Sequence, residues 1–357
     1  MKVAVFGSYN YGNYGDDLMG VMFAHRLKQM GANPIVYRLD SAFAKTYDIQ
    51  TTQSLDELLS NSRFCIVGGG GLLIGKTKLS EVDREIEADF EAFALATQKY
   101  KCPLHPLSIG GDGRGAKTPF PSGRHLLFSG PTCQTTTVRN ESDIVLMNHL
   151  GKNAIHYPDV LWSAPDYWNL RKPEADLGVI KIGVNLADTR KHRAFVAALS
   201  LLSKLNRQKV EIYLIRSHLA QYPVDYEMLP KSRQQTFHSY TYQDPVEMLG
   251  FLGSLDVLVS QKLHLGLSAL AMGVPFISYS GQGKTHTLLR SLGAEGAIAP
   301  SDKLNTLKLA LNLATKGADD AKNLYDFGAF EILAQQSQQH LAYLESLVKR
   351  YSAQLAA

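Results

Sequence analysis

Short apolar runs alternate along the chain with longer stretches in which apolar residues recur at helical spacing. The runs at residues 2–7, 34–37, 64–67 and 104–109 read as strands buried on both faces. Between the first two, Leu18, Val21, Met22, Leu27 and Met30 share one helical face, and Gly31 closes that helix. Residues 55–60 and the amphipathic stretch 81–100 read as further helices, and four glycines end the strand at Val67. Residues 135–138 and 142–150 add another strand and helix. This rhythm predicts a parallel sheet with helices on both faces.

Residues 159–176 interrupt it with Pro165, Pro173 and a cluster of charges. The pattern then restarts, with strands at 179–186, 210–215, 257–259 and 275–279 and helices at 245–252 and 265–272. Helical spacing resumes near Lys303 and runs to a Gln-, Ala- and Leu-rich tail. The expected fold is α/β, with two Rossmann-like domains facing across a cleft and a C-terminal helical tail. Their boundaries are placed at 1–168 and 177–325, with a tail at 326–357 that packs back on the first domain. Parallel sheets bind ligands beyond the carboxyl ends of their strands, so the chemistry is sought in those loops.

The length of 357 residues exceeds what one hydrophobic core usually organises, in keeping with two domains. Lys and Arg number 37 against 33 Asp and Glu, a net charge of +4. So mild an excess suits small anions or a membrane surface and is not the footprint of a nucleic-acid binder. Cys65, Cys102 and Cys133 are scattered and form no CxxC, which argues against a disulfide framework or zinc site and for a reducing compartment. No apolar run reaches membrane-spanning length, so a cytoplasmic protein is expected.

Six loops carry candidate chemistry. In "GSYNYGNYGDDLMG", Gly7, Gly12 and Gly15 permit tight turns, while Asp16 and Asp17 stand where a helix cap is expected. The spacing is not a dinucleotide fingerprint, and the acids suit hydroxyl recognition or a general base. The run Gly68, Gly69, Gly70, Gly71 offers either a tight bend or a row of N–H groups for an anion or sugar. "LSIGGDGRG" repeats the device, followed by Arg114, Lys117 and Arg124, which read as a solvated mobile loop or as a lid over an anionic substrate. Arg139 follows a strand, as a surface charge or as a clamp for phosphate and carboxylate. In "SQKLH", Lys262 and His264 fall between a buried strand and a helix, a place suited to anions. His264 has the proton affinity of a general acid or base near neutral pH. Lys284 and His286 repeat the arrangement after the next strand.

Taken in order, these motifs resemble the polysaccharide pyruvyl transferase family. The resemblance rests on Gly12-Asn13 with Gly15-Asp16, glycines 68–71, Val138-Arg139 with Ser142, and Pro158-Asp159. It continues through Ser260-x-Lys262-Leu263-His264, Gly273-Val274-Pro275 and Lys284 before Leu292-Gly293. It implies a glycosyltransferase B-like fold and transfer of a pyruvyl group from phosphoenolpyruvate to a sugar, as a cyclic ketal with release of phosphate. By the same resemblance, His264 and Asp16 are the catalytic pair, and Arg139, Lys262, Leu263 and Lys284 bind the donor. Asn13, Asp17, Gly69, Gly70 and Gly71 then line the acceptor side. The family's usual residue at position 262 is arginine; lysine keeps the charge and loses the bidentate fork. Phosphoenolpyruvate is a co-substrate, and neither a cofactor nor a metal is expected. The acceptor is expected in exopolysaccharide or cell-surface glycan synthesis; whether it is lipid-linked, whether "LVKRY" touches the inner membrane face, and whether the chain forms a homo-oligomer stay open. Two alternatives also stay open: a glycosyltransferase using a nucleotide-sugar, and a non-catalytic polysaccharide-assembly protein.

Overall fold

A computed structural model of the chain describes residues 1–76, 78–112, 120–174, 178–186, 192–205, 209–222, 237–281, 283–299, 303–316, 321 and 323–356. The loop residues Arg114 and Lys117 lie outside them. The chain divides into two compact units, Met1–Val160 with Ala334–Ala357, and Leu161–Leu333.

The first unit is built on strands β1 Lys2–Phe6, β2 Asn33–Tyr37, β3 Gln50–Thr52, β4 Cys65–Gly70, β5 Leu104–Ile109, β6 Thr136–Val138 and β7 Ala154–His156. They form one parallel sheet in the order β3-β2-β1-β4-β5-β6-β7. Its helices are α1 Tyr14–Gln29, α2 Ser41–Thr46, α3 Leu55–Leu59, α4 Glu81–Lys99, α5 Ser122–Ser129 and α6 Glu141–His149. Apolar side chains of the strands meet those of the helices; Phe6, for example, stacks on Phe93 of α4 with ring centroids 3.8 Å apart.

The second unit carries α7 Ala164–Tyr167, β8 Val179–Asn185, α8 Arg193–Leu205, β9 Lys209–Arg216, β10 His238–Thr241, α9 Pro245–Gly253 and β11 Val257–Ser260. Then follow α10 Leu263–Ala271, β12 Phe276–Tyr279, α11 Gly283–Ser291, β13 Ile298–Ala299, α12 Lys303–Lys316 and, up to Leu333, the first part of α13 Phe327–Ser337. Its parallel sheet has the order β10-β9-β8-β11-β12-β13. Each unit is therefore Rossmann-like, the two sheets reversing direction of growth at β1/β4 and β8/β11.

The chain re-enters the first unit at Ala334, and α14 Gln339–Ala356 packs there. His340 is fully buried, its Nδ1 2.8 Å from Thr137 Oγ1 and its Nε2 3.0 Å from the Pro158 carbonyl. A carbonyl only accepts, so Nε2 donates, and Nδ1 accepts from the Thr137 hydroxyl. Tyr343 donates to the Thr135 carbonyl at 3.1 Å, and Tyr351 stacks on Phe64. Among the described residues no helix is long and apolar enough to cross a membrane.

Several elements differ from the sequence reading for visible reasons. Helix α1 starts at Tyr14 because Asn13, not an aspartate, caps it, accepting from Gly15 N at 3.1 Å. Asp16 and Asp17 occupy its first turn instead, where the helix dipole favours acids. Strand β4 does not stop at Val67 but continues through Gly70, Gly68 pairing with Leu107 and Gly70 with Ile109. A side chain on Gly68 would collide with the Leu107 carbonyl oxygen, so glycine there is a condition of strand pairing. Arg124 is not part of a solvated loop. It is buried on α5, where its Nε donates to Glu87 Oε1 at 2.6 Å and its Nη1 to the Leu72 carbonyl at 3.0 Å.

Candidate functional site

Where neighbouring strands of a parallel sheet send their connections in opposite directions, the loops diverge and leave a crevice. In the first unit that point lies between β1 and β4. After β1, Gly12 takes a left-handed conformation (φ 59°) and Asn13 opens α1, leaving Asp16 partly exposed and Asp17 fully buried. Gly7 serves packing rather than ligand approach: a side chain there would lie 2.5 Å from the Tyr9 ring, and one on Gly20 2.6 Å from it. Tyr9 itself donates to the Gly68 carbonyl, tying this loop to β4. Burial, then the nearby Asp16 and Asp17 carboxylates, push its hydroxyl pKa well up, so it stays protonated.

The glycine run joins two charged groups. A carbon added to Gly70 (φ 93°) would sit 2.6 Å from Asp16 Oδ1, and one added to Gly71 3.9 Å from Arg139 Nη2. A carbon on Gly69 would run into Met19 Sδ and lie 3.0 Å from the Ser108 carbonyl. Only glycine at position 70 lets the aspartate come so close to the backbone, while at Gly71 the arginine lies at ordinary contact distance. Arg139 follows β6 and is buried, Nη1 donating to Asp159 Oδ2 at 2.8 Å. It is thus not a surface charge. Its shaft lies along Gly110, where a side-chain carbon would come within 2.5 Å of Cγ. The Gly111 N–H in turn donates to both oxygens of Asp143, at 3.1 and 3.0 Å, and Asn140 Nδ2 donates to Oδ2 at 2.7 Å. Burial raises the Asp143 pKa, while those donors oppose the rise.

Asp143, Gly110 and the acid role of Asp159 were not singled out from sequence. Asp143 had a local signal, standing three residues beyond Asn140 at a helix start. For Asp159 only its place in the Pro158-Asp159 motif marks it.

In the second unit the corresponding point lies between β8 and β11. Ser260, the last residue of β11, donates from Oγ to Asn185 Oδ1 at 3.1 Å and accepts from Lys262 N at 2.9 Å. Asn185 Nδ2 donates to the Ile215 carbonyl at 3.0 Å, so three strands hold the "SQKLH" turn. Lys262 takes the N-cap position of α10 with extended backbone and no side-chain cap bond. Helix α10 begins at Leu263, two residues before the sequence reading, which puts buried Leu263 and His264 in its first turn. His264 is 9% exposed. After β12, Ser280 adopts φ 50°, and α11 opens with Gly283, half-buried Lys284 and buried Thr285.

The structure therefore brings Asp16, Gly70, Gly71 and Arg139 together in the first unit, with Gly69 adjoining. Asn13 lies beside them, its side-chain oxygen engaged in capping, and Asp17 is enclosed. In the second unit Lys262, Leu263 and His264 share one helix start, and Lys284 opens the helix after the next strand.

Similar folds are found in solved structures. The UDP-GlcNAc 2-epimerase from Methanocaldococcus jannaschii matches with a TM-score of 0.61 at 11% identity, covering 96% of this chain and 99% of that one. The Neisseria meningitidis UDP-GlcNAc 2-epimerase bound to UDP-GlcNAc matches at 0.59 and 12%, covering 99% and 100%. A protein from Listeria monocytogenes described as a UDP-N-acetylglucosamine 2-epimerase matches at 0.57 and 14%, covering 96% and 97%. These likenesses show a glycosyltransferase B-like fold. None of the curated proteins compared with the chain matches it. A sequence model of polysaccharide pyruvyl transferases matches residues 13–282, from the Asn13 cap through Arg139 to the Lys262–His264 turn, and the chain belongs to that family.

Proposed function

We propose that the chain moves the pyruvyl group of phosphoenolpyruvate onto a sugar of an exopolysaccharide or cell-surface glycan precursor. Its product is a pyruvate ketal, and phosphate is released. The observation that carries this reading is the family match across residues 13–282, which spans Asp16, the glycine run, Arg139, Lys262 and His264.

The chemistry suits those residues. Phosphoenolpyruvate carries a carboxylate and a phosphate, for which Arg139, Lys262 and Lys284 supply cations. His264 protonates the methylene carbon, which makes the central carbon electrophilic. A sugar hydroxyl attacks that carbon, and Asp16 accepts the hydroxyl proton. The bond to the phosphate oxygen breaks as a second hydroxyl of the sugar closes the ring. Of the two hydroxyl protons, one restores His264 and the other leaves with the phosphate.

A second reading draws on the fold shared with the Neisseria enzyme bound to UDP-GlcNAc: transfer from a nucleotide-sugar. Thermal melting with phosphoenolpyruvate, set beside UDP-, GDP- and CMP-sugars, separates the two, because a ligand that binds only the folded state raises the melting temperature. The expected result is a shift with phosphoenolpyruvate that disappears in Lys262→Ala, and phosphate release that disappears in His264→Ala. A shift with a nucleotide-sugar and none with phosphoenolpyruvate would overturn the pyruvyl reading.

A further inference from the structure

Two serines stand side by side at the carboxyl ends of adjacent strands in the second unit, Ser260 on β11 in register with Ser278 on β12. Both are fully buried. Ser260 Oγ has two protein partners, whereas Ser278 Oγ has none among the described residues. Nor has Thr285 Oγ1, fully buried in the first turn of α11, nor His286 Nε2 beside it. Three orphaned polar atoms within residues 278–286 is a heavy concentration, since buried hydroxyls and ring nitrogens are nearly always bonded.

Gly281 lies against both residues. A side chain on it would overlap Ser278 Oγ and lie 3.6 Å from Thr285 Cβ, so only glycine lets the loop pass this close to the Ser278 hydroxyl. The left-handed Ser280, held by its N–H to the Ala299 carbonyl at 3.1 Å, turns the chain sharply from β12 towards the N-terminus of α11. The first-turn N–H groups of a helix and its dipole favour an anion there. Charge agrees: residues 278–291 contain Lys284 and Arg290 and no Asp or Glu. A phosphate, with three or more acceptor oxygens, is a group that can take several hydrogen bonds at once in such surroundings.

We propose that Ser278, Thr285 and the first turn of α11 form a seat for a phosphate group, carried either by the phosphoenolpyruvate donor or by a phosphorylated glycan. Assignment to the donor rests on the pyruvyl-transfer reading; the chemistry of the seat does not. Adjacent strands lie about 4.8 Å apart. A three-carbon donor with an anion at either end can therefore reach from the Lys262 turn to this seat. Thr285 lies beyond the segment that the family model matches.

The test measures affinity of the full chain for inorganic phosphate, phosphoenolpyruvate and glucose 1-phosphate by calorimetry, with melting curves in parallel. The variants are Thr285→Val, which keeps the shape, and Ser278→Ala. Each is expected to weaken binding of inorganic phosphate about tenfold, the loss of one hydrogen bond to a charged group. Without ligand, Thr285→Val is expected to melt at or slightly above the wild-type temperature, because it removes a buried hydroxyl that had no partner. Opposite signs for binding and unliganded stability are the signature of a seat. If phosphoenolpyruvate weakens in parallel with phosphate, the donor occupies it; if glucose 1-phosphate alone does, the glycan does. Affinities unchanged within twofold in both variants would overturn the proposal, as would no binding of any probe to wild type. So would a sharp fall in unliganded stability for Thr285→Val. Phosphate binding that depends on Thr285, alongside no phosphate release from phosphoenolpyruvate with any acceptor, would leave the seat standing and remove the pyruvyl reading.

Discussion

The loops at the carboxyl ends of the two sheets share a layout and differ in how far they are tied together. In the first unit Arg139 is bound to Asp159, Asp143 to the Gly111 N–H, and the Asn13 side chain to Gly15. Those contacts hold the charged groups in place before any ligand arrives. In the second unit the Ser260 hydroxyl both donates and accepts, while those of Ser278 and Thr285 one strand along have no hydrogen-bond partner among the described residues. A tied rim keeps its shape unaided, and an untied one is completed by what binds. Substitutions that cut a tie in the first, such as at Asp159, should therefore register mainly as lost stability, and those at the untied hydroxyls of the second mainly as lost binding.

The largest effect that would sharpen this contrast is on turnover. His264→Ala should lower phosphate release from phosphoenolpyruvate about a thousandfold, within the range seen when a general acid is removed. Circular dichroism should still report a folded chain; unfolding would place His264 with the structural set instead. On the tied side, Asp159→Ala removes a carboxylate paired with the buried Arg139 charge, a loss that typically costs about 3–5 kcal/mol. Urea denaturation would measure it, and a loss below about 1 kcal/mol would break the comparison.

Acidification should act on the first unit through its buried histidines. Burial lowers the pKa of His340 to about 3 and that of His105 to about 4. The unfolded chain takes up these protons as pH falls through about 6.5, and the folded chain does not. The stability from neutral His340 is complete above that pH and is lost progressively as pH falls towards 3. At pH 5 the loss from His340 should be about 2 kcal/mol. Urea midpoints at pH 7 and pH 5 would show it, with a smaller difference in His340→Gln. The smallest effect belongs to the partly exposed Arg26–Glu345 pair, where Glu345→Ala should cost about 0.5 kcal/mol, less at high salt.

What the sequence disclosed follows the range of the interactions involved. The buried runs at 104–109 and 257–259 are legible because strands covered on both faces must be apolar throughout. The edge strands Gln50–Thr52 and Ala154–His156 are three residues each, too short to impose a pattern, and went unread. Helix starts slipped where a cap was mistaken: two aspartates drew attention from Asn13, and the apolar spacing of α10 hid that Leu263 and His264 already belong to it. Arg139 was visible as a candidate, but its partner Asp159, 20 residues on, depends on tertiary structure. Arg124 misled for the same reason, since its partner Glu87 lies 37 residues back. The orphaned hydroxyls of Ser278 and Thr285 leave no trace in sequence, because a missing partner can be found only once every neighbour is in place.

The return of α14 to the first unit sets the order of events during synthesis. Thr137 leaves the ribosome 203 residues ahead of His340, its partner, and His105 waits 246 residues for Tyr351. The second unit, encoded between them, has its whole sequence available before the first has its last helix. The part made first is thus the part finished last. Until residues 334–357 emerge, a nascent chain presents Phe64, His105 and Thr137 without the helix that covers them, a surface on which a chaperone has time to act.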